Sequence, residues 1–187
     1  MAIAGSASLR DETLRIIEIL WSGAHTVADV HEMTGASDRG LLAIYGSHPV
    51  FGDDALLFID GTGSTSGADA APETFAERLN RIGPWIALLP SEATIYVGRL
   101  GGTRPVGEAP WAQAISDATR LTTFFHAPPW NGRHVDHHRV QQPTVVLNLG
   151  RRHRLAMEVS TLWDQSAWTP ETEQWMPFST PSDGEDT

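Results

Sequence analysis

The stretch His126-Ala127-Pro128-Pro129-Trp130-Asn131 closes an apolar helical run, Trp111 to Phe125. Proline has no N–H and disfavours helical geometry in the residue before it, so Pro128 and Pro129 end that helix in a turn. Asn131 stands after the turn, where an asparagine side chain readily hydrogen-bonds backbone. Upstream, Leu41–Tyr45 and Ala55–Ile59 read as two short strands. The segment 47–54 between them makes this a hairpin with a long loop. Gly61 to Ala71 is rich in Gly, Ser, Thr and Ala and reads as a mobile loop, after which Pro72 starts a helix through Arg81. Ala93–Val97 is a further strand. Downstream, Thr144–Leu149 and Arg154–Val159 form a C-terminal hairpin about the turn 150–153.

Nearer the start, residues 8–22 read as a helix: Ser8 can cap it, Asp11 and Glu12 suit its first turn, and Leu9, Ile16 and Leu20 form a stripe. The fold class expected is α/β of the α+β kind, with a small mixed or antiparallel central sheet, flanking helices and an extra C-terminal β-hairpin. At 187 residues the chain suits one globular domain, 1–178. The tail 179–187 lacks apolar residues and is expected to be disordered. Trp163, Trp168, Trp175, Met176 and Phe178 before it are expected to pack back on the body.

Composition narrows the chemistry. All 13 basic residues are arginine, which excludes lysine Schiff bases and lysine general bases. With no cysteine, disulfides and thiolate metal sites are excluded too. The net charge of −10 argues against broad nucleic-acid affinity, although Arg133, Arg139, Arg151, Arg152 and Arg154 could form a local basic groove. No run reaches the roughly 18 apolar residues of a membrane span. The first residues lack a secretory pattern, so the expected compartment is cytoplasmic. Phosphate loops, nucleophile elbows and dinucleotide fingerprints are absent from the sequence.

The order strand, strand, helix, strand, helix, turn-Asn over about residues 38–131, together with the HxPPxN turn, resembles the core of the GIY-YIG endonucleases. Residues 132–178 are then an extension, in which Leu147–Arg152 and Glu158–Ser160 are similar to a poorly characterised branch of that family. The resemblance implies two tyrosines flanking a scissile phosphate, an arginine steadying it and a glutamate holding magnesium. That division of labour suits phosphodiester cleavage. Here Gly40-Leu41-Leu42 stands at the first tyrosine motif and Phe58-Ile59-Asp60 at the second. Thr119 occupies the glutamate position, twelve residues before Asn131. Arg78 and Asn131 retain the family's residue types.

Tyr45 faces away from residue 42 on an alternating strand, and Tyr96-Val97-Gly98 spells the second motif on the wrong strand. Asp117 lies about 200° round the helix from Thr119. The catalytic candidates are therefore Arg78, Asn131 and His126, and the ligand-binding candidates Leu42, Phe58, Thr119 and Tyr45. A metal site is not expected, His134, His137 and His138 being weak candidates. No cofactor is expected either, except magnesium if the chain cleaves nucleic acid. The expectation is a GIY-YIG-like binding module without nuclease chemistry, partnered by a small molecule or a protein. One alternative is a small-molecule enzyme with acid/base histidines in an apolar cleft floored by Leu42 and Phe58. The other is a divergent magnesium endonuclease, with Asp117 or Glu158 replacing the glutamate. Whether the chain is an enzyme stays open at this point.

Overall fold

The computed structural model describes residues 14–35, 38–61, 73–87, 92–102 and 108–163. The strands are β1 (Arg15–His25), β2 (Leu41–His48), β3 (Gly52–Gly61), β4 (Thr94–Leu100), β5 (Thr144–Gly150) and β6 (Glu158–Ser160). The helices are α1 (Val27–Met33), α2 (Phe75–Ile86) and α3 (Glu108–His126). A 3-10 turn follows β6 at Thr161–Trp163. The strands form one mixed six-stranded sheet in the order β3-β2-β4-β1-β5-β6, in which β1 runs parallel to β5 and the other pairs are antiparallel. The molecule is thus α+β.

The largest correction concerns residues 8–22. The described part of the expected helix is strand β1, and 8–13 lie outside the described residues. Ile17, Ile19 and Trp21 are buried and alternate with Ile16 and Leu20, which are 59% and 56% exposed. The apolar pairs that mimic a helical stripe also satisfy a period of two, and β-branched isoleucines favour the strand. Pairing with β4 and β5, seventy or more residues away in sequence, decides between the two. β4 and β1 together therefore join the hairpin of β2 and β3 to that of β5 and β6, so the C-terminal hairpin is part of the same sheet.

Local signals account for the smaller differences. Thr26 caps α1, a helix not foreseen, through a reciprocal box in which Asp29 N–H donates to the Thr26 hydroxyl and Thr26 N–H donates to the Asp29 carboxylate. Thr74 and Glu77 cap α2 in the same manner, and α2 continues beyond Arg81 to Ile86. The β2–β3 loop is shorter than expected, since His48 already pairs with Gly52. β6 is shorter too, with Val146 opposite Val159. The Gly/Ser-rich loop 62–71, the tail 179–187, the side chain of Trp163, and Trp168, Trp175, Met176 and Phe178 lie outside the described residues.

Two apolar clusters hold the sheet. On one face Ile17, Ile19, Leu41, Ala43 and Tyr45 pack under α3 through Ile115, Ala118 and Leu121. On the other, Leu42, Ile44, Ile95 and Val97 pack under α1 and α2 through Val30, Phe75 and Leu79. Strand β2 is covered on both faces, which explains its unbroken apolar run. Gly98 explains the misleading Tyr96-Val97-Gly98: a Cβ there would lie 2.6 Å from Ile19 Cγ2 and 3.0 Å from the Trp21 ring. Among the described residues no helix is long and apolar enough to cross a membrane.

Candidate functional site

Strand β3 is an edge of the sheet, and its open backbone is closed by the turn that follows α3. Trp130 N–H donates to Leu57 O at 3.0 Å. The Asn131 amide then behaves as a strand would, donating from Nδ2 to Ile59 O at 2.7 Å and accepting from Ile59 N–H at Oδ1 at 2.9 Å. Edge strands left open invite pairing with other chains. We expect Asn131→Ala to strand one donor and one acceptor of Ile59 and to lower unfolding free energy by about 2 kcal/mol. Asn131→Asp keeps the acceptor but sets a carboxylate oxygen against Ile59 O, so at neutral pH it should lose at least as much. Urea unfolding of the three proteins measures this, and an unchanged midpoint in Asn131→Ala would refute the clamp.

Between this edge, α2 and α3 lies a cleft of about 400 Å³. β3 contributes Phe58, Ile59 and Asp60, and α2 contributes Arg78 and Arg81. One stripe of α3, Ser116, Thr119, Arg120 and Thr123, forms the facing wall. Asn131, Gly132, Arg133 and His134 close the end. Four candidates from the sequence, Phe58, Arg78, Thr119 and Asn131, therefore line one cavity. Leu42 does not: it is fully buried in the cluster beneath α2, so the expected apolar floor of Leu42 and Phe58 is replaced by a rim of guanidinium groups.

Arg78 is 3% exposed and committed to protein partners. Its guanidinium donates to Gly61 O at 2.5 Å and pairs with Asp60 at 2.8 Å and Glu73 at 3.0 Å. Burial pushes the Asp60 carboxyl up to about 6, against the opposing pull of the Gly61 N–H and Arg81. Thr119 is committed as well, its hydroxyl donating to Ile115 O at 2.7 Å. A Cβ on Gly61 would stand 2.1 Å from that hydroxyl, so β3 and α3 meet at a point closed to larger side chains.

The other candidates lie elsewhere. His126 Nε2 accepts from Ala156 N–H at 3.1 Å, away from the cleft, and burial pushes its pKa down to about 4. Tyr45 is buried in the core, edge-on to Tyr96 at 5.3 Å and to His153 at 4.7 Å, and burial raises its pKa. The two tyrosines of the chain thus meet each other and not the cleft. Asp117 turns to the opposite side of α3, where it pairs with Arg15 and accepts from Gln113. Glu158 is exposed on β6, opposite Leu147.

Of the histidine loop, only His134 lines the cleft. His137 accepts from Arg139, while His138 accepts from Val140 N–H at 2.9 Å and sets its ring against Phe124. Among the described residues no three His, Asp or Glu side chains gather as a metal site. Sequence reasoning missed Arg81, Arg120 and Thr123. Their signal was helical spacing: three residues separate Arg78 from Arg81, and 116, 119, 120 and 123 share a face. The fold and cleft define an α+β protein with an arginine-rich cavity at a clamped sheet edge. Compared with family models, curated proteins and solved structures, the chain finds no match in any of the three.

Proposed function

We propose that the chain is a binding module on a GIY-YIG-like core without nuclease chemistry, and that its cleft takes a small anionic ligand. The observation that carries this reading is the division among the cleft's arginines. Arg78 donates to Gly61 O and is ion-paired with Asp60 and Glu73, whereas Arg120 is paired only with Asp117, at 4.0 Å, and Arg133 has no ion-pair partner among the described residues. A family arginine that steadies phosphate needs donors to offer, and here that residue is a structural knot. Arg133 keeps its donors, and Arg120 is held only by Asp117 at the outer limit of an ion pair.

Support for the ancestry is the order β2, β3, α2, β4, α3 followed by the Asn131 turn, with Phe58, Arg78, Thr119 and Asn131 around one cavity. Support for binding over cleavage is the chemistry of those positions, since Leu42, Phe58 and Thr119 offer neither a phenol nor a carboxylate. A positive field in the cleft agrees with an anionic ligand: besides burial, Arg120, Arg139 and Arg133 hold the His134 pKa below its ordinary value. The overall negative charge disfavours a polyanion and leaves small acids as the fitting class.

The test is calorimetric titration of the full chain with small aromatic carboxylates and phosphates beside an oligonucleotide. The small acids should bind more tightly than the oligonucleotide. Arg120→Gln/Arg133→Gln should weaken them about tenfold, each lost charge-assisted hydrogen bond contributing its share. DNA and RNA should remain intact with magnesium or manganese. Metal-dependent cleavage that disappears in Asp60→Asn, the variant lacking the carboxylate that lines the cleft, would overturn the proposal.

A further inference from the structure

We infer that the ligand of this cleft is a phosphomonoester with an apolar remainder, held through the Thr123 hydroxyl together with Arg120 and Arg133; this rests on the anion-binding reading above. Thr123 lines the cleft yet is only 1% exposed, and its Oγ1 is buried without a hydrogen-bond partner in the structure. Its neighbour Thr119, one turn earlier, has its hydroxyl satisfied by Ile115 O. A buried hydroxyl without a partner is costly, and one at the wall of a cationic cavity is placed to donate to a bound anion.

The directions from which donors come separate the anion classes. A carboxylate is planar and is satisfied by one guanidinium fork. A phosphomonoester presents three terminal oxygens tetrahedrally and carries up to two charges, so it uses donors from different sides and more than one guanidinium. The cleft supplies Thr123 and Arg120 from α3 and Arg133 from the loop beyond it, while the half-exposed Arg81 of α2 stands at the rim paired with Glu73 at 3.2 Å. Asp60 is the opposing carboxylate that lines the cavity, and it is already engaged by Arg78. Phe58, which packs in part against the cluster beneath α2, adds apolar surface to the lining, and an organic ester offers that surface a counterpart that the inorganic ion lacks.

The experiment titrates the full chain with phenyl phosphate, inorganic phosphate and benzoate. Phenyl phosphate should bind about tenfold tighter than either of the others. Thr123→Val, nearly isosteric, should weaken phenyl phosphate roughly fivefold while leaving benzoate unchanged, and Thr123→Ser should restore wild-type affinity. Thermal melts of each variant confirm that the fold is retained, and the serine variant keeps the test decisive if valine perturbs packing. Equal affinity for phenyl phosphate and benzoate would overturn the phosphomonoester assignment and leave the anion-binding reading standing. Absence of binding by all three would remove both. An unchanged affinity in Thr123→Val would overturn the role given to its hydroxyl.

Discussion

Arg78→Met should be among the most destabilising single substitutions in the cleft, lowering unfolding free energy by about 3–5 kcal/mol. The guanidinium joins three groups from two segments: Asp60 and the Gly61 carbonyl at the end of β3, and Glu73 just before α2. Methionine retains much of the aliphatic stem, so the loss is electrostatic. It leaves a carboxylate that is already costly to bury, as the upward shift of Asp60 to about 6 records. Adding Asp60→Asn to Arg78→Met should recover part of the loss, because the uncompensated charge is then removed. Guanidinium chloride unfolding of the single and double variants measures both effects. A loss below about 1 kcal/mol would mean that Arg78 is a solvated surface group, contrary to its burial.

Acid should unfold the protein partly through His126. Its folded pKa of about 4 lies below the ordinary histidine value of 6.5, because burial disfavours the charged ring. The unfolded chain therefore binds the proton more tightly, and this contribution to stability is fully present above 6.5 and lost as pH falls through 4. Over that interval the loss is about 3 kcal/mol. Protonation also sets an N–H on Nε2, the atom that accepts from Ala156 N–H. His126→Gln, which keeps an acceptor in reach, should flatten the decline by about this amount. Asp60 acts in the opposite direction: its folded pKa is raised, so its term is fully present below 3.8 and is lost as pH rises through 6. Asp60→Asn should accordingly make the acid decline steeper. Denaturant midpoints between pH 7 and pH 4 report both slopes, and identical slopes in wild type and His126→Gln would refute the assignment.

How much of this was legible in the residues themselves differs from element to element. The hairpin of β2 and β3, the helices α2 and α3 and the strands β4 and β5 follow from apolar periodicity, turn residues and the Pro128-Pro129 stop, all of which act over a few neighbouring residues. The same kind of signal placed Phe58, Arg78, Thr119 and Asn131 on separate elements, because register within a strand or a helix is local. It also set Tyr45 opposite Leu42, and the two side chains do enter different cores.

Segment 15–25 shows where local reasoning ended. Its isoleucines and leucine satisfy a helix and a strand alike, and the hydrogen bonds that choose the strand come from β4 and β5. Leu42 illustrates the same limit for the site, since alternation gives the two sides of a strand but α1 and α2 determine that its side is interior. Arg78 could be read as exposed until Asp60, Gly61 and Glu73 were seen to surround it. The histidines of 126–138, adjacent in sequence, diverge because the chain passes from a helix into an irregular loop. Sequence by itself determined which residue types were available and most of the local elements. Tertiary structure alone decided which side chains met, because burial and pairing depend on partners brought together across long chain separations.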